Sequence, residues 1–407
     1  MGKILFLHPD LGIGGAERLV VDAALALKQK GHSVQFVTNH HDPNHCFEET
    51  RDGSLNITVV GDWIPRHLAG KFYAFWAYLR LLYAALYMLV FIVPYEKPDI
   101  IFCDQISIAI PILRLFSFKR FSVIFYCHFP DLLLSKPGGL LKTYYRKPLN
   151  WLEEYTTSKA DVILVNSKFT SRVFKSTFKT ISTSPDILYP SINTKNIDNT
   201  HIPEEVDGIE SNVKFILSIN RFERKKDISL VLNSFAKFRA LSNDDNLKLI
   251  IIGGYDERVI ENVEYYEELQ TLAKSLDVSS EVTFLKSPSD AIKYYLLKHC
   301  VSLIYSPQNE HFGIVPLEAM YMGKPVIACN SGGPTETVMD SVTGFLCDPD
   351  PDKFAKAIVN SIERSDELGR KGEELFKTRF SFSAFSDQLN HIISNQMKRK
   401  HVAHKSK

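Results

Sequence analysis

The residues best suited to chemistry stand in three short segments. Asn309-Glu310-His311-Phe312-Gly313-Ile314-Val315-Pro316-Leu317-Glu318-Ala319 carries two glutamates separated by seven residues, the first in a loop, the second in a helix expected to begin near Phe312. The carboxylates accept hydrogen bonds and the free N–H groups of a first helical turn donate them. A nucleotide sugar needs both, because its hydroxyls seek acceptors and its phosphates seek donors. Arg221-Phe222-Glu223-Arg224-Lys225-Lys226 follows a strand and precedes a helix, so cations and a helix dipole meet where a diphosphate would be held. A solvated charge run is the ordinary alternative for such a cluster. The third segment, Gly12-Ile13-Gly14-Gly15-Ala16-Glu17-Arg18, sets glycines before a helix, leaving a loop open to a diphosphate or a sugar. It fails as a dinucleotide fingerprint, since Glu17 replaces the last glycine and the second strand ends in Thr38-Asn39, with no acid for a ribose. A plain tight turn is the alternative there. Ser331-Gly332-Gly333-Pro334-Thr335-Glu336 repeats the glycine-turn device after a later strand.

Strands must hold these loops in place. Lys3 to Leu7 is a buried-strand run, followed by the glycine-rich turn and a helical pattern from Ala16 to Lys30. Further strand-like runs stand at Ser33 to Thr38, Asn56 to Val60, Asp99 to Cys103, Ser122 to Cys127 and Asp161 to Asn166. A polar stretch from Pro190 to Asn212 reads as a linker. A second series then follows at Lys214 to Ile219, Lys248 to Ile252, Val282 to Leu285, Val301 to Tyr305 and Pro325 to Ala328. The expected fold is α/β, with two Rossmann-like doubly wound domains whose strand ends face a cleft.

Composition supports two globular domains: 407 residues, 45% hydrophobic and 23% charged, exclude a disordered or fibrous chain. Lys plus Arg (48) nearly cancels Asp plus Glu (47), so no global field points to nucleic acid. The charge is segregated, however, with 11 basic and 4 acidic residues from Arg66 to Lys147, and 5 basic and none acidic from Ser394 to Lys407. Six scattered cysteines without a C-x-x-C pair support neither a disulfide framework nor a zinc site, and a reducing compartment fits. No signal peptide or myristoylation signal is legible in the first residues.

Taken in order, the GGAER turn, the pair Arg221 and Lys226, the E-x7-E from Glu310 to Glu318 and the SGGPTE turn resemble the retaining, two-Rossmann-domain (GT-B) glycosyltransferases of family 4. FLHPDLGIGGAERLV, HHDPNHCF, DQIS, FYCHFPDLLL and WLEEYTT are similar to its Alg2-type mannosyltransferases of the dolichol-linked oligosaccharide pathway. The resemblance implies that Arg221 and Lys226 bind the diphosphate of GDP-mannose, that Glu310 holds the mannose and Glu318 the ribose. It implies further that amides of Phe312, Gly313 and Ile314, with Gly14 and Gly15, line the phosphate and acceptor side. His128 and Asp131 would stand on the acceptor side, His128 beside the donor sugar; a packed histidine is the alternative. The acceptor implied is a dolichyl-diphosphate oligosaccharide carrying Man1GlcNAc2, extended by α-1,3 and α-1,6 mannoses. No side chain is assigned as a nucleophile, only electrostatic stabilisation. Neither cofactor nor metal is expected, because fixed cations and helix dipoles would replace the ion. The letters of Asp348-Pro349-Asp350 lie in a turn-rich segment and are discounted.

Phe72 to Val93 is a run of 22 residues with one charge, Arg80, and eight aromatics, long enough to span a bilayer. A single crossing would split one sheet between two compartments. The expectation is therefore a helix in the cytosolic leaflet of the endoplasmic reticulum membrane, with Trp76, Leu79, Tyr83 and Leu86 as its anchors and nearby Lys and Arg facing lipid. A core helix of the first domain is the alternative. Leu113 to Phe118 is too short for a return span. The expected domains are residues 1–195, facing acceptor and membrane, 196–377, binding the nucleotide sugar, and 378–407, a helix and basic tail packing back toward the first. Expected partners are GDP-mannose, the lipid-linked oligosaccharide, membrane lipid and other mannosyltransferases of the pathway, with no nucleic acid. Alternatives from other classes are a non-catalytic scaffold of the same fold and a soluble family 4 transferase acting on another acceptor.

Overall fold

The computed structural model describes the chain except residues 69, 118–119, 135–138, 193, 210–212, 243–245 and 406–407. Four residues of the expected linker, the pair following Ser117 and the last two of the basic tail therefore lie outside the described residues. Met1–Ser191 with Phe382–Lys407 form one compact unit and Ile192–Ser381 another.

In the first unit seven parallel strands, β1 (Lys3–His8), β2 (Ser33–Thr38), β3 (Asn56–Val59), β4 (Ile100–Asp104), β5 (Ser122–Cys127), β6 (Val162–Val165) and β7 (Asp186–Ile187), lie in the order β3-β2-β1-β4-β5-β6-β7. The order reverses between β1 and β4, the place where open α/β sheets bind ligands. The central strands β1, β4, β5 and β6 are near-continuous apolar runs because both faces are covered, whereas β2, β3 and β7 toward the edges carry polar, partly exposed residues. Alternate side chains of β1 go to opposite cores: Ile4 and Phe6 to one, Leu5 and Leu7 to the other. The first core is closed by α1 (Gly15–Gln29), through Leu19, Val20, Ala23 and Leu27, and by the helix Phe382–Lys405. That helix returns nearly 200 residues later in sequence and buries Phe385, Leu389 and Ile393.

The second core is closed by α2 (Tyr73–Tyr87), which continues through a wide turn at Met88–Ile92 to Glu96. The 24 residues Tyr73–Glu96 are long and apolar enough to cross a membrane, by length and composition. One face is in the core, with Leu81, Ala84, Ala85, Met88 and Ile92 packed on the sheet. The other face leaves Phe75, Leu79, Tyr83, Leu86, Val90 and Phe91 exposed. Core helix and surface helix thus describe two sides of one element. The single charge within Tyr73–Tyr87 turns inward. Arg80 is buried, donates to the Asn39 carbonyl at 2.9 Å and pairs with Asp62 at 3.2 Å, while Asn39 donates back to the Arg80 carbonyl at 2.9 Å.

The second unit holds six parallel strands, β8 (Lys214–Ile219), β9 (Leu247–Gly253), β10 (Val282–Lys286), β11 (Ser302–Tyr305), β12 (Val326–Cys329) and β13 (Gly344–Cys347), in the order β10-β9-β8-β11-β12-β13. β7 and β13 were not expected from sequence: β7 has only two residues, and β13 opens on a glycine amid turn residues, which weakens its strand signal. Asp350, beyond β13, caps the next helix by accepting from the N–H groups of Asp352 (2.9 Å) and Lys353 (3.0 Å), which accounts for the Asp-Pro-Asp letters.

The returning helix is an integral part of the first unit's core. Leu389→Ala, at a fully buried position, should therefore lower stability by about 2 to 5 kcal/mol in a urea melt. An unchanged midpoint would show that the helix is dispensable.

Candidate active site

In the second unit the chemistry gathers where β8 and β11 end. Lys226 closes a single helical turn, Arg224–Lys226, and its carbonyl accepts from the Ser306 hydroxyl at 2.7 Å, joining the two strand ends. Its ammonium is paired with Glu310 Oε2, and the Tyr305 hydroxyl donates to the same oxygen at 3.4 Å. Burial alone would raise the Glu310 pKa, but the charge and hydrogen bond of Lys226 outweigh it and hold the carboxyl below its ordinary value.

Glu310 keeps its place because two backbones touch. Gly333 N–H donates to the Glu310 carbonyl at 2.7 Å, and Asn309 N–H donates to the Ser331 hydroxyl at 3.0 Å. A Cβ on Gly332 would overlap the Glu310 backbone, and one on Gly333 would overlap the Phe312 backbone; Gly332 also has φ +66°. Only glycines allow this approach. Gly313, at φ +88°, precedes a helix spanning Ile314–Tyr321, so the helix starts two residues later than expected and Phe312 lies in the loop, buried against Phe380.

Glu318, from that helix, is half-buried and meets Lys293 at 3.1 Å rather than the Lys226–Glu310 pair. Burial raises its pKa despite Lys293. Neither Lys293 nor Tyr305 was anticipated, and Lys293 gives no local signal, standing inside an ordinary helix, Asp290–His299. The cationic cluster is largely neutralised by its surroundings. Arg221 (3.1 Å) and Lys225 (3.0 Å) share Glu223, while Arg224 reaches Glu264 (3.0 Å) and Glu268 (2.5 Å). Arg221 remains exposed at 62% of its side chain, open to a ligand.

In the first unit, Gly14 caps α1 with the Glu17 carboxylate folded back against it, while nothing lies within 4 Å of a Cβ placed on Gly15, so the turn is open at Gly15 alone. Beside it, adjacent strands bring three groups together that sequence spacing separates. Asp104, at the end of β4 and fully buried, lies 3.0 Å from His8 Nδ1 at the end of β1 and 2.9 Å from His128 Nε2 just after β5. Burial by itself would raise the Asp104 pKa, yet the two imidazoles bring it down to about 2. With Nε2 directed at a carboxylate, the free edge of His128 is Nδ1. Glu17, the residue that spoils the dinucleotide fingerprint, accepts from Gln105 at 3.3 Å and stands 4.0 Å from His8 Nε2, tying the start of α1 to the end of β4. His8, Asp104 and Glu17 were missed; their signal is that His8 and Asp104 each end a strand.

Asp131 pairs with Arg146 at 2.9 Å, and its N–H donates to Glu153 at 2.7 Å. Burial pushes the Glu153 pKa up to about 7. His128, Asp131, Arg146 and Glu153 line one cavity of about 510 Å³ within this unit. Of the four anchor residues on α2, Leu79, Tyr83 and Leu86 are exposed, while Trp76 is half-buried with its ring edge-on to Phe75.

The profile "Glycosyltransferase Family 4" matches residues 13–196, and "Glycosyl transferases group 1" matches residues 203–374. An alpha-1,3/1,6-mannosyltransferase, ALG2, of Homo sapiens is 50% identical over 403 residues, covering 96% of this chain and 95% of that protein. The chain belongs to the ALG2 alpha-1,3/1,6-mannosyltransferase family. Its counterpart in Saccharomyces cerevisiae is 44% identical, covering 97% of this chain and 86% of that protein. Among solved structures, sucrose-phosphate synthase of Thermosynechococcus elongatus superposes with a TM-score of 0.72 at 18% identity, covering 98% of this chain and 100% of that one. HepE of Anabaena, in complex with UDP, superposes at 0.70 and 17%, covering 97% and 100%. These share the GT-B fold of two Rossmann-like domains. The ALG2 family member described here is thus a glycosyltransferase by sequence, carried on the GT-B fold.

If Asp104 orients His128, Asp104→Asn should mix the tautomers of that imidazole in nitrogen-15 NMR spectra and slow mannose transfer by about 10²-fold, with circular dichroism unchanged. An unaltered tautomer would remove Asp104 from this role.

Proposed function

We propose that the chain moves mannose from GDP-mannose, with retention, to dolichyl-diphosphate-linked Man1GlcNAc2 and builds both the α-1,3 and α-1,6 branches on the cytosolic face of the endoplasmic reticulum membrane. The observation that carries this is the Lys226–Glu310 pair at the mouth of β8 and β11, in a chain half identical to a mannosyltransferase with both linkages in its name. The pair can part around a ligand: Lys226 turns to the diphosphate with Arg221, and Glu310 is left to accept from the mannose hydroxyls. Charge growing on the leaving diphosphate then meets fixed cations, and charge growing on the sugar meets the carboxylate. Amides of Phe312, Gly313 and Ile314 donate to phosphate, and Glu318, held by Lys293, takes the ribose. On the acceptor side Gly15 leaves an open turn next to Gly14, whose space is taken by the Glu17 carboxylate, and His128 and Asp131 offer polar edges.

Membrane attachment through the first unit is supported by where the apolar surface lies. Among the described residues, exposed large apolar side chains crowd its residues 63–155, including Phe75, Leu86, Phe91, Phe116, Leu134 and Trp151, whereas six are scattered over the second unit. Because α2 covers the sheet with one face, it lies along the lipid surface with the other and does not leave the fold to cross.

Glu310→Gln should reduce transfer at least about 10²-fold by losing charge stabilisation of the transition state, and the α-1,3 and α-1,6 products should fall together, since the chain contains one E-x7-E. Normal formation of either linkage alone would mean a second donor site. A triple exchange of Leu79, Tyr83 and Leu86 to Ser should release the protein from liposomes, each side chain forfeiting up to about 1.5 to 3 kcal/mol of apolar burial, while the thermal melt stays put. A collapsed melt would mean that this face, too, is structural.

A further inference from the structure

The 510 Å³ cavity of the first unit has two kinds of wall. One is apolar: the inner side of the first turns of α2, with Tyr73, Ala74, Ala77 and Tyr78, faces it together with Leu134. The other is polar, made by His128, Asp131, Arg146 and Glu153. That polar wall is rigidly built, because both carboxylate oxygens of Glu153 are engaged, by the N–H groups of Asp131 at 2.7 Å and Leu132 at 3.2 Å, while Arg146 is tied to Asp131. The space exists because residues 74 and 77 are alanines in a helix otherwise crowded with Tyr, Phe, Trp and Leu. Tyr73 and Leu134 line the cavity and are also 56% and 57% exposed. The cavity therefore opens beside the uncovered apolar face of α2.

An apolar wall next to the lipid-facing side and a polar wall beside His128 fit an amphiphile, whose hydrocarbon and polar parts each need their own surroundings. We propose that this cavity binds the isoprenoid segment next to the diphosphate of the lipid-linked acceptor, so that the enzyme recognises the lipid itself and not only the saccharide. This rests on the acceptor-side reading of His128 and Asp131. The hydrocarbon packs on Tyr73, Ala74, Ala77 and Tyr78, which places the attached saccharide toward His128. A filled cavity would leave the lipid no such seat.

The test fills the space from α2. Ala77→Phe, and the milder Ala74→Val, are compared with the wild type on two acceptors: the lipid-linked saccharide on a phytanyl diphosphate, and the same saccharide on a methyl group at high concentration. KM for the phytanyl acceptor should rise about tenfold or more in Ala77→Phe and less in Ala74→Val, while turnover of the methyl acceptor and KM for GDP-mannose stay at wild-type values. Normal turnover of the methyl acceptor also reports a correctly folded variant. An equal loss on both acceptors, or no change on either, overturns the lipid seat. Failure of the wild type to transfer to either acceptor would instead overturn the acceptor assignment beneath it.

Discussion

The second unit depends on a close backbone contact. The turn carrying Gly332 and Gly333 lies against the loop carrying Glu310 and Phe312, at a distance that any Cβ would forbid. That contact orders the loop, and the ordered loop fixes the carboxylate that Lys226 meets. A buried carboxylate without a partner would take up a proton. The pair therefore keeps Glu310 ionised, and on the proposed reading a ligand bearing phosphates and hydroxyls replaces each group's partner with one of like chemistry. Ser306, bonded to the Lys226 carbonyl, makes β8 and β11 act as one frame for this exchange.

The first unit solves a related problem differently. Asp104 is wholly buried and is kept ionised by two imidazoles drawn from the neighbouring strands. Only His128 reaches the surface, so the buried carboxylate and His8 serve as its mount. The same unit carries the apolar helix α2. Its inner face completes a core, its outer face is left bare, and its first turns wall a cavity that ends at His128. On the proposed reading, membrane attachment and acceptor recognition share this one helix, so that a lipid-linked substrate is read at the surface where it resides.

Much of this was legible in the sequence. Long apolar runs bounded by turns gave eleven of the strands their places, since a strand buried on both sides must be apolar throughout. Glu310 and Glu318 stood out as two carboxylates about a helix start, and Arg221 and Lys226 as cations between a strand end and a helix start. Partners were not legible. Lys293 is one lysine on one helix, Tyr305 ends a strand like any core residue, and Asp104 is 96 residues from His8. Asp186–Ile187 is too short for any period, and Gly344–Cys347 opens on a glycine amid turn residues. For α2, hydropathy alone could not distinguish core from lipid, because both environments select the same residues.

The sequence by itself determined the two Rossmann-like halves, the loops that bear chemistry and the residue types in them, because periodicity, turn glycines and charge are local properties of the chain. Tertiary structure decided which charges meet: Lys226 with Glu310, Lys293 with Glu318, and Asp104 with two histidines. It also decided that Arg80 points inward and that α2 has one covered face. The reason is that pairing and burial depend on which strands lie side by side, and parallel strands become neighbours through crossovers whose sequence separation carries no record of the contact.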